Sequence, residues 1–178
     1  MKKRTVALLA GGIYSEREVS LQSGDQVYEA LDKDKYEIRR YDPKTDLSRL
    51  VKDAPGIDVA LIILHGPYGE DGTVQGLLDL LHIPYQGSGV LGSALAMNKA
   101  VTKKLYEKSG LPVPPYIIYD RNDNVNVDAC VKQLGLPLVI KPVSGGSSVG
   151  MSIVRSAPDL QDALDKATDY DNAVMAES

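Results

Sequence analysis

Two runs of apolar residues, Val6 to Ala10 and Val59 to Leu64, are short, nearly continuous and bounded by turn residues. Such runs mark strands buried on both faces, as in a parallel sheet covered by helices. Between and after them the spacing becomes helical. Glu18 to Leu31 carries Val27, Ala30 and Leu31 at helical spacing, and Thr73 to Leu81 carries Val74, Leu77, Leu78 and Leu81 at i, i+3, i+4 and i+7. A third strand is expected around Tyr36 to Tyr41. Alternating strand and helix predicts an α/β fold whose N-terminal part is a doubly wound parallel sheet, with ligands held beyond the carboxyl ends of the strands. Two loops leave such ends, Gly11 to Arg17 and His65 to Gly72.

The pattern changes after roughly Met97. A helix from about Lys99 to Ser109 runs into Leu111 to Pro115, a Leu-Pro-Val-Pro-Pro segment that breaks helices and favours extended chain. A domain boundary is therefore expected here, giving residues 1–98 and 99–178. The second part predicts strands at Tyr116 to Tyr119, Leu138 to Lys141, Met151 to Val154 and Ala173 to Glu177, and helices at Val127 to Leu134 and Leu160 to Ala167. The strands on either side of the Gly/Ser loop are close enough in sequence to form a hairpin. This α+β region has only about 80 residues, near the lower limit for a comfortable core, and ends on a strand, so it is expected to be incomplete.

Composition narrows the class. The chain of 178 residues is 43% apolar and 25% charged, which indicates a packed globular fold. Ten Tyr with neither Phe nor Trp leave Leu, Ile, Val and Ala to fill the core. The net charge of −4 comes without a basic block, which disfavours a nucleic-acid partner. No segment approaches the length of a membrane span, and the Val6 to Ala10 run is too short for a signal peptide. Cys130 is the only cysteine, so no intrachain disulfide forms and a reducing cytoplasm is the simplest compartment. With Val127, Val131 and Leu134 it falls on one helical face, as a buried core thiol would.

Three constellations could carry chemistry. The first is Gly11-Gly12 followed by Ser15, Glu16, Arg17, Glu18, Val19 and Ser20, between a buried strand and a helix. Its acids either cap the helix or bind a substrate ammonium, and spacing leaves both open. It is neither a GxGxxG nor a Walker A loop. The second is His65-Gly66-Pro67-Tyr68-Gly69-Glu70-Asp71-Gly72, in which three glycines and three ionisable groups are a costly choice for a mere connection. His65 is the functional candidate, Glu70 and Asp71 have a rival role at the start of the Thr73 helix, and His82 reads as structural against the helix dipole. The third is Lys141-Pro142-Val143-Ser144-Gly145-Gly146-Ser147-Ser148-Val149-Gly150. Its backbone N–H groups, hydroxyls and lysine could wrap a polyphosphate, while the bland alternative is a flexible hairpin turn.

Taken together and in this order, the motifs resemble the D-alanine:D-alanine ligases of the ATP-grasp superfamily. The resemblance covers essentially the whole chain: Gly11 to Gly24, His65 to Gly76, Ile83 to Lys99, Gly110 to Pro115 and the Lys141 to Gly150 loop. It implies an N-terminal substrate domain followed by the first part of an ATP-grasp domain. The implied reaction is ATP-dependent joining of two D-alanines through an acyl phosphate, giving the dipeptide used in peptidoglycan. By position, Glu16 resembles the carboxylate that holds the first substrate's ammonium, His65 its neighbour beside the acyl centre, and Ser147 the hydroxyl linked to Glu16. Lys99 and Lys141 resemble the ATP phosphate contacts, Gly146 and Ser148 support the phosphate loop, and Glu177 resembles the start of the hinge that reads adenine. The resemblance further implies magnesium or manganese with ligands beyond residue 178, a homodimer, and a chain that is inactive or nearly so alone. Asn98 stands where the family commonly has Asp, Gln86 where Thr is usual, and Ile13-Tyr14 where small hydroxyl residues are common. The alternatives are a short paralogue that binds D-alanine or a nucleotide without catalysis, and a different ATP-grasp ligase; the Glu16 and His65 motifs disfavour the latter.

Overall fold

A computed structural model describes residues 2–178. The chain forms two compact units, Met1–Ala94 and Leu95–Ser178. In the first, β1 (Arg4–Leu9), α1 (Arg17–Ala30), β2 (Tyr36–Tyr41), α2 (Leu47–Asp53), β3 (Val59–Ile62) and α3 (Thr73–Leu80) follow one another. The strands pair in parallel in the order β2-β1-β3. Because β1 is central, five successive residues from Thr5 to Leu9 are buried, which is why the apolar run shows no alternation. The core gathers Ala7, Leu9, Tyr41, Leu50, Ala60, Val74 and Leu78.

The second expected strand is shorter and less enclosed than its apolar run suggests. In β3 only Ala60 is buried, and Val59, Leu61 and Ile62 are half-buried, because β3 flanks the central strand. The ladder continues for one bond, from Ile63 N–H to the Leu9 carbonyl at 2.8 Å, before the chain turns away. The Gln86 side chain then stands in for a neighbouring strand. Its Oε1 accepts from Ile62 N–H at 3.0 Å, and its Nε2 donates to the Ile62 carbonyl at 2.7 Å. Gln86 thus satisfies strand groups that a threonine is too short to bridge in this two-armed way. Helix α1 lies so close to the end of β1 that a Cβ on Gly24 would fall 2.5 Å from the Ala10 methyl.

Helix α4 (Val90–Met97) runs across the division between the units. The second unit continues with α5 (Lys99–Lys108), β4 (Tyr116–Asp120), α6 (Val127–Leu134), β5 (Leu138–Pro142), β6 (Ser152–Val154), α7 (Leu160–Thr168) and β7 (Ala173–Glu177). Its antiparallel sheet has the order β4-β7-β5-β6, and β5 and β6 form the expected hairpin around the Gly/Ser loop. Leu160, Ala163, Leu164 and Ala167 of α7 cover one face, packed with Leu138, Ile140 and Val174. Cys130 is 1% exposed in that core, as its helical face predicts. Asn98 caps α5 by accepting from Val101 N–H at 3.0 Å, a task at which Asn and Asp are equivalent. Helices α2 and α4 were not marked by the periodicity. Helix α2 has only seven residues, and α4, VLGSALAM, is apolar nearly all round and so shows no one-sided repeat.

Candidate functional site

The first unit builds its candidate site where the ends of β1 and β3 meet the start of α1. Ser20, fully buried on α1, links the two loops: it accepts from Gly11 N–H at 2.8 Å and donates to the Ile63 carbonyl at 2.6 Å. A second tie closes the Gly11–Arg17 turn on itself. Arg17 donates to the Gly12 carbonyl at 2.8 Å and pairs with Asp42 at 2.6 Å, while Asp42 accepts from Gly12 N–H at 2.9 Å. Burial would raise the Asp42 carboxyl, but the Arg17 guanidinium and the N–H groups of Gly12 and Lys44 outweigh it and hold it below its ordinary value. The turn so fixed carries Glu16.

Glu16 occupies the N-cap position of α1, yet its side chain makes no capping bond. It is 6% exposed, and its Oε2 has no hydrogen-bond partner among the described residues. The His65 loop crosses directly over it. A Cβ on Gly66 would lie 2.6 Å from Glu16 Oε2 and 2.8 Å from the Tyr14 ring, so only glycine lets the loop come this close. A buried acceptor without a partner is costly unless a ligand supplies the donor. Of the two roles open to the Glu16 motif, capping is therefore the one its side chain does not play.

Glu70 and Asp71 do structural work in the same loop. Glu70 accepts from Gly66 N–H at 2.7 Å, and Asp71 accepts from Tyr68 N–H and Thr73 N–H, each at 2.9 Å. Gln75 on α3 pins the loop from beneath, donating to the Gly69 carbonyl at 2.9 Å. His65 is half-buried and lines a cavity of about 170 Å³ whose walls include Gly12, Tyr14, Leu64 and Val74.

The second unit brings Lys99, Lys141 and Glu177 together beneath the Gly/Ser loop. Lys99 Nζ donates to the carbonyls of Pro142, Val143 and Gly145 at 3.0, 3.3 and 2.8 Å. Burial first, and then the neighbouring charge of Lys141, push the Lys99 ammonium below its ordinary value. It is not a solvated surface lysine. Lys141 pairs with Glu177 Oε2, and Lys103 of α5 pairs with Oε1 of the same carboxylate. Burial alone would raise Glu177, but the two ammonium groups together hold it below the usual carboxylate range.

In the loop above, Gly145, Ser147, Ser148 and Gly150 all have positive φ. Two successive non-glycine residues in the left-handed region are a strained arrangement that recurs at ligand sites. The backbone N–H groups of Gly146, Ser147 and Ser148 have no hydrogen-bond partner among the described residues. Three ammonium groups face two carboxylates, Glu177 and Asp171, the latter felt by Lys99 and accepting from Ser144 N–H at 2.7 Å. This surplus of positive charge with free N–H donors fits a polyphosphate. No group of three or more His, Cys, Asp or Glu side chains that could hold a metal ion exists among the described residues.

Sequence reasoning missed Asp42 and Lys103, and it placed Ser20 in the Glu16 constellation without giving it a role. Asp42 follows β2 directly, a carboxyl-end position that could have flagged it, and Lys103 lies four residues after Lys99 on one helix face. Ser20 stood inside the Glu16 motif, but its bonds to Gly11 and Ile63 form only where the strand ends meet α1.

Known proteins resemble the chain along its length. Residues 39–88 match the family described as D-ala D-ala ligase N-terminus, and residues 105–178 the family described as D-ala D-ala ligase C-terminus. A D-alanine–D-alanine ligase of Syntrophobacter fumaroxidans is 57% identical over 176 residues, 99% of this chain and 57% of the relative. The crystal structure of D-alanine–D-alanine ligase from Bacillus anthracis superposes with a TM-score of 0.87 at 41% identity, covering 98% of this chain and 57% of that one. A D-alanine–D-alanine ligase from Bacillus anthracis complexed with ATP gives a TM-score of 0.84 at 38% identity, covering 98% and 58%. The chain thus spans about half the length of the curated relatives it matches.

Proposed function

This chain belongs to the D-alanine–D-alanine ligase family, and from that premise we propose that it carries the first amino-acid site and the nucleotide site of an ATP-dependent ligase. The proposed reaction joins two D-alanines to D-alanyl-D-alanine for peptidoglycan. One carboxylate oxygen of the first D-alanine attacks the terminal phosphorus of ATP and releases ADP. The amine of the second then attacks the acyl carbon, phosphate leaves with the bonding pair, and the amine loses a proton.

The observation that carries this reading is the buried Glu16 Oε2 without a partner. An ammonium seated there would supply the missing donor in a site closed by the Gly66 backbone, and a charge-assisted bond of this kind is worth about 1.5–3 kcal/mol. His65, at the head of the same loop, would stand beside the acyl centre, and Ser147 would offer its hydroxyl to the substrate from the Gly/Ser loop. Lys99 and Lys141 would contact the phosphates, with Gly146 and Ser148 supporting them through the loop backbone. Glu177 would mark the start of the adenine hinge. Magnesium or manganese would stabilise phosphoryl charge, through ligands beyond residue 178. Work with ATP as substrate fits a cytoplasmic protein. No helix among the described residues is long and apolar enough to cross a membrane. A homodimer is part of the same proposal.

The test is phosphate release from ATP with magnesium and D-alanine, measured on the protein as the cell makes it and on its Glu16→Gln variant. D-alanine-dependent release that falls at least about a hundredfold in the variant is expected, since breaking a buried ion pair costs about 3–5 kcal/mol. No D-alanine-dependent release from the wild type, or an unchanged variant, sinks the reading.

A further inference from the structure

The two cations that flank Glu177 are held very differently. Lys103 is fixed on three sides: by Glu177 Oε1, by the Pro114 carbonyl at 3.0 Å, and by the face of Tyr116, whose ring centre lies 4.8 Å from Nζ. Its side chain is 10% exposed. Lys141 has Glu177 as its partner and its side chain is 22% exposed, beside the loop whose N–H groups are free. Either ammonium suffices to neutralise one carboxylate.

If Lys141 swung to an anionic ligand while it was the sole partner of Glu177, a carboxylate 13% exposed would be left uncompensated. A buried charge stripped of its partner is strongly destabilising, and that penalty would be subtracted from ligand binding. Because Lys103 stays on Oε1, the penalty does not arise. We propose that Lys103 is a positioning residue of the nucleotide site, which neutralises Glu177 so that Lys141 is free to turn to the phosphates. This rests on the nucleotide reading of the second unit given above.

The probe is ATP with magnesium, its Kd measured by titration calorimetry on the intact protein, beside the KM for D-alanine. Lys103→Met is expected to weaken ATP at least about tenfold, with Lys141 then locked to Glu177, and to leave the KM for D-alanine within about twofold. Lys103→Arg, which keeps the cation, is expected to bind ATP within about threefold of wild type. The decisive comparison adds Glu177→Gln. With no carboxylate to neutralise, Lys103 loses its task, so Glu177→Gln and the double variant Lys103→Met/Glu177→Gln bind ATP alike. The double variant binds more tightly than Lys103→Met alone. This pair decides the matter even if Lys103→Met by itself does not fold. A double variant markedly weaker than Glu177→Gln, or Lys103→Met equal to wild type, overturns the proposal. A wild type that does not bind ATP, or a Lys141→Met variant that binds it unchanged, overturns the nucleotide reading itself and the proposal with it.

Discussion

The two units prepare for charged ligands in opposite ways. In the first, the Glu16 carboxylate is buried and its Oε2 has no partner, while Ser20, Arg17 and Asp42 bond the turn around it to the strand ends. In the second, every lysine near the Gly/Ser loop is already engaged, Lys99 by three carbonyls and Lys103 and Lys141 by Glu177. A ligand entering the first site completes an interaction, whereas one entering the second must exchange partners. The first site carries its cost in the free protein, and the second carries it at the moment of binding.

This contrast ranks two losses. Glu16→Gln is expected to lower kcat/KM for D-alanine by about 10²–10³, while Lys141→Met is expected to weaken ATP by only about 10–100-fold, because Glu177 and Lys103 keep each other neutral without it. The free proteins should differ in the other sense. Removing an unpartnered buried charge raises the thermal midpoint of Glu16→Gln, and removing a paired one lowers that of Lys141→Met. Steady-state kinetics, calorimetry and melting curves check both, and a Lys141→Met loss larger than that of Glu16→Gln would break the comparison.

A smaller effect tests the scaffold of the first site. Ser20→Ala strips a partner from the buried Gly11 N–H and Ile63 carbonyl at once, which should cost about 2–4 kcal/mol of stability. Because those bonds join the two loops around Glu16, the KM for D-alanine should rise while the Kd for ATP stays put. Equal changes in both would mean that Ser20 serves the whole fold and not this site. Ser20→Thr, which keeps the hydroxyl, should recover the KM if the added methyl is tolerated.

How much of this was legible in the sequence depended on the distance between partners. The unbroken run in β1 revealed a central strand, and the face shared by Val127, Cys130, Val131 and Leu134 revealed a core helix, because neighbours in sequence set both. The Glu16 motif was visible, yet its role stayed open between capping and binding. Only the position of Gly66, fifty residues on, shows that the carboxylate is covered, with its Oε2 left without a partner. Asp71 had the same ambiguity with the opposite outcome, since its bonds to Tyr68 and Thr73 are local. Asp42 with Arg17, and Lys103 with Glu177, are pairs that periodicity cannot see, because they form only when separate elements meet. The edge of β3 is likewise completed by a side chain from a distant loop, Gln86, which the apolar run could not show.

The smallest expected effect probes whether the lysines of the second unit are held by charge, as the comparison requires. Glu177 lies below its ordinary value of 4.5 in the fold, because Lys103 and Lys141 outweigh its burial. A carboxyl depressed on folding contributes stability that is fully present above its unfolded value and is lost as the pH falls through its folded value. The thermal midpoint of the wild type should therefore hold from neutrality to about pH 5 and decline below that. Glu177→Gln has nothing to protonate at this position, so its midpoint should start lower at pH 7 and decline less steeply. The gap between the two curves should narrow as the pH falls from about 5 to 3. Asp42 and the other depressed carboxyls shape both curves equally, so the narrowing isolates Glu177. Parallel curves would mean that Lys103 and Lys141 are held by packing and backbone contacts alone, and Lys141 would then be as free to leave without Lys103 as with it.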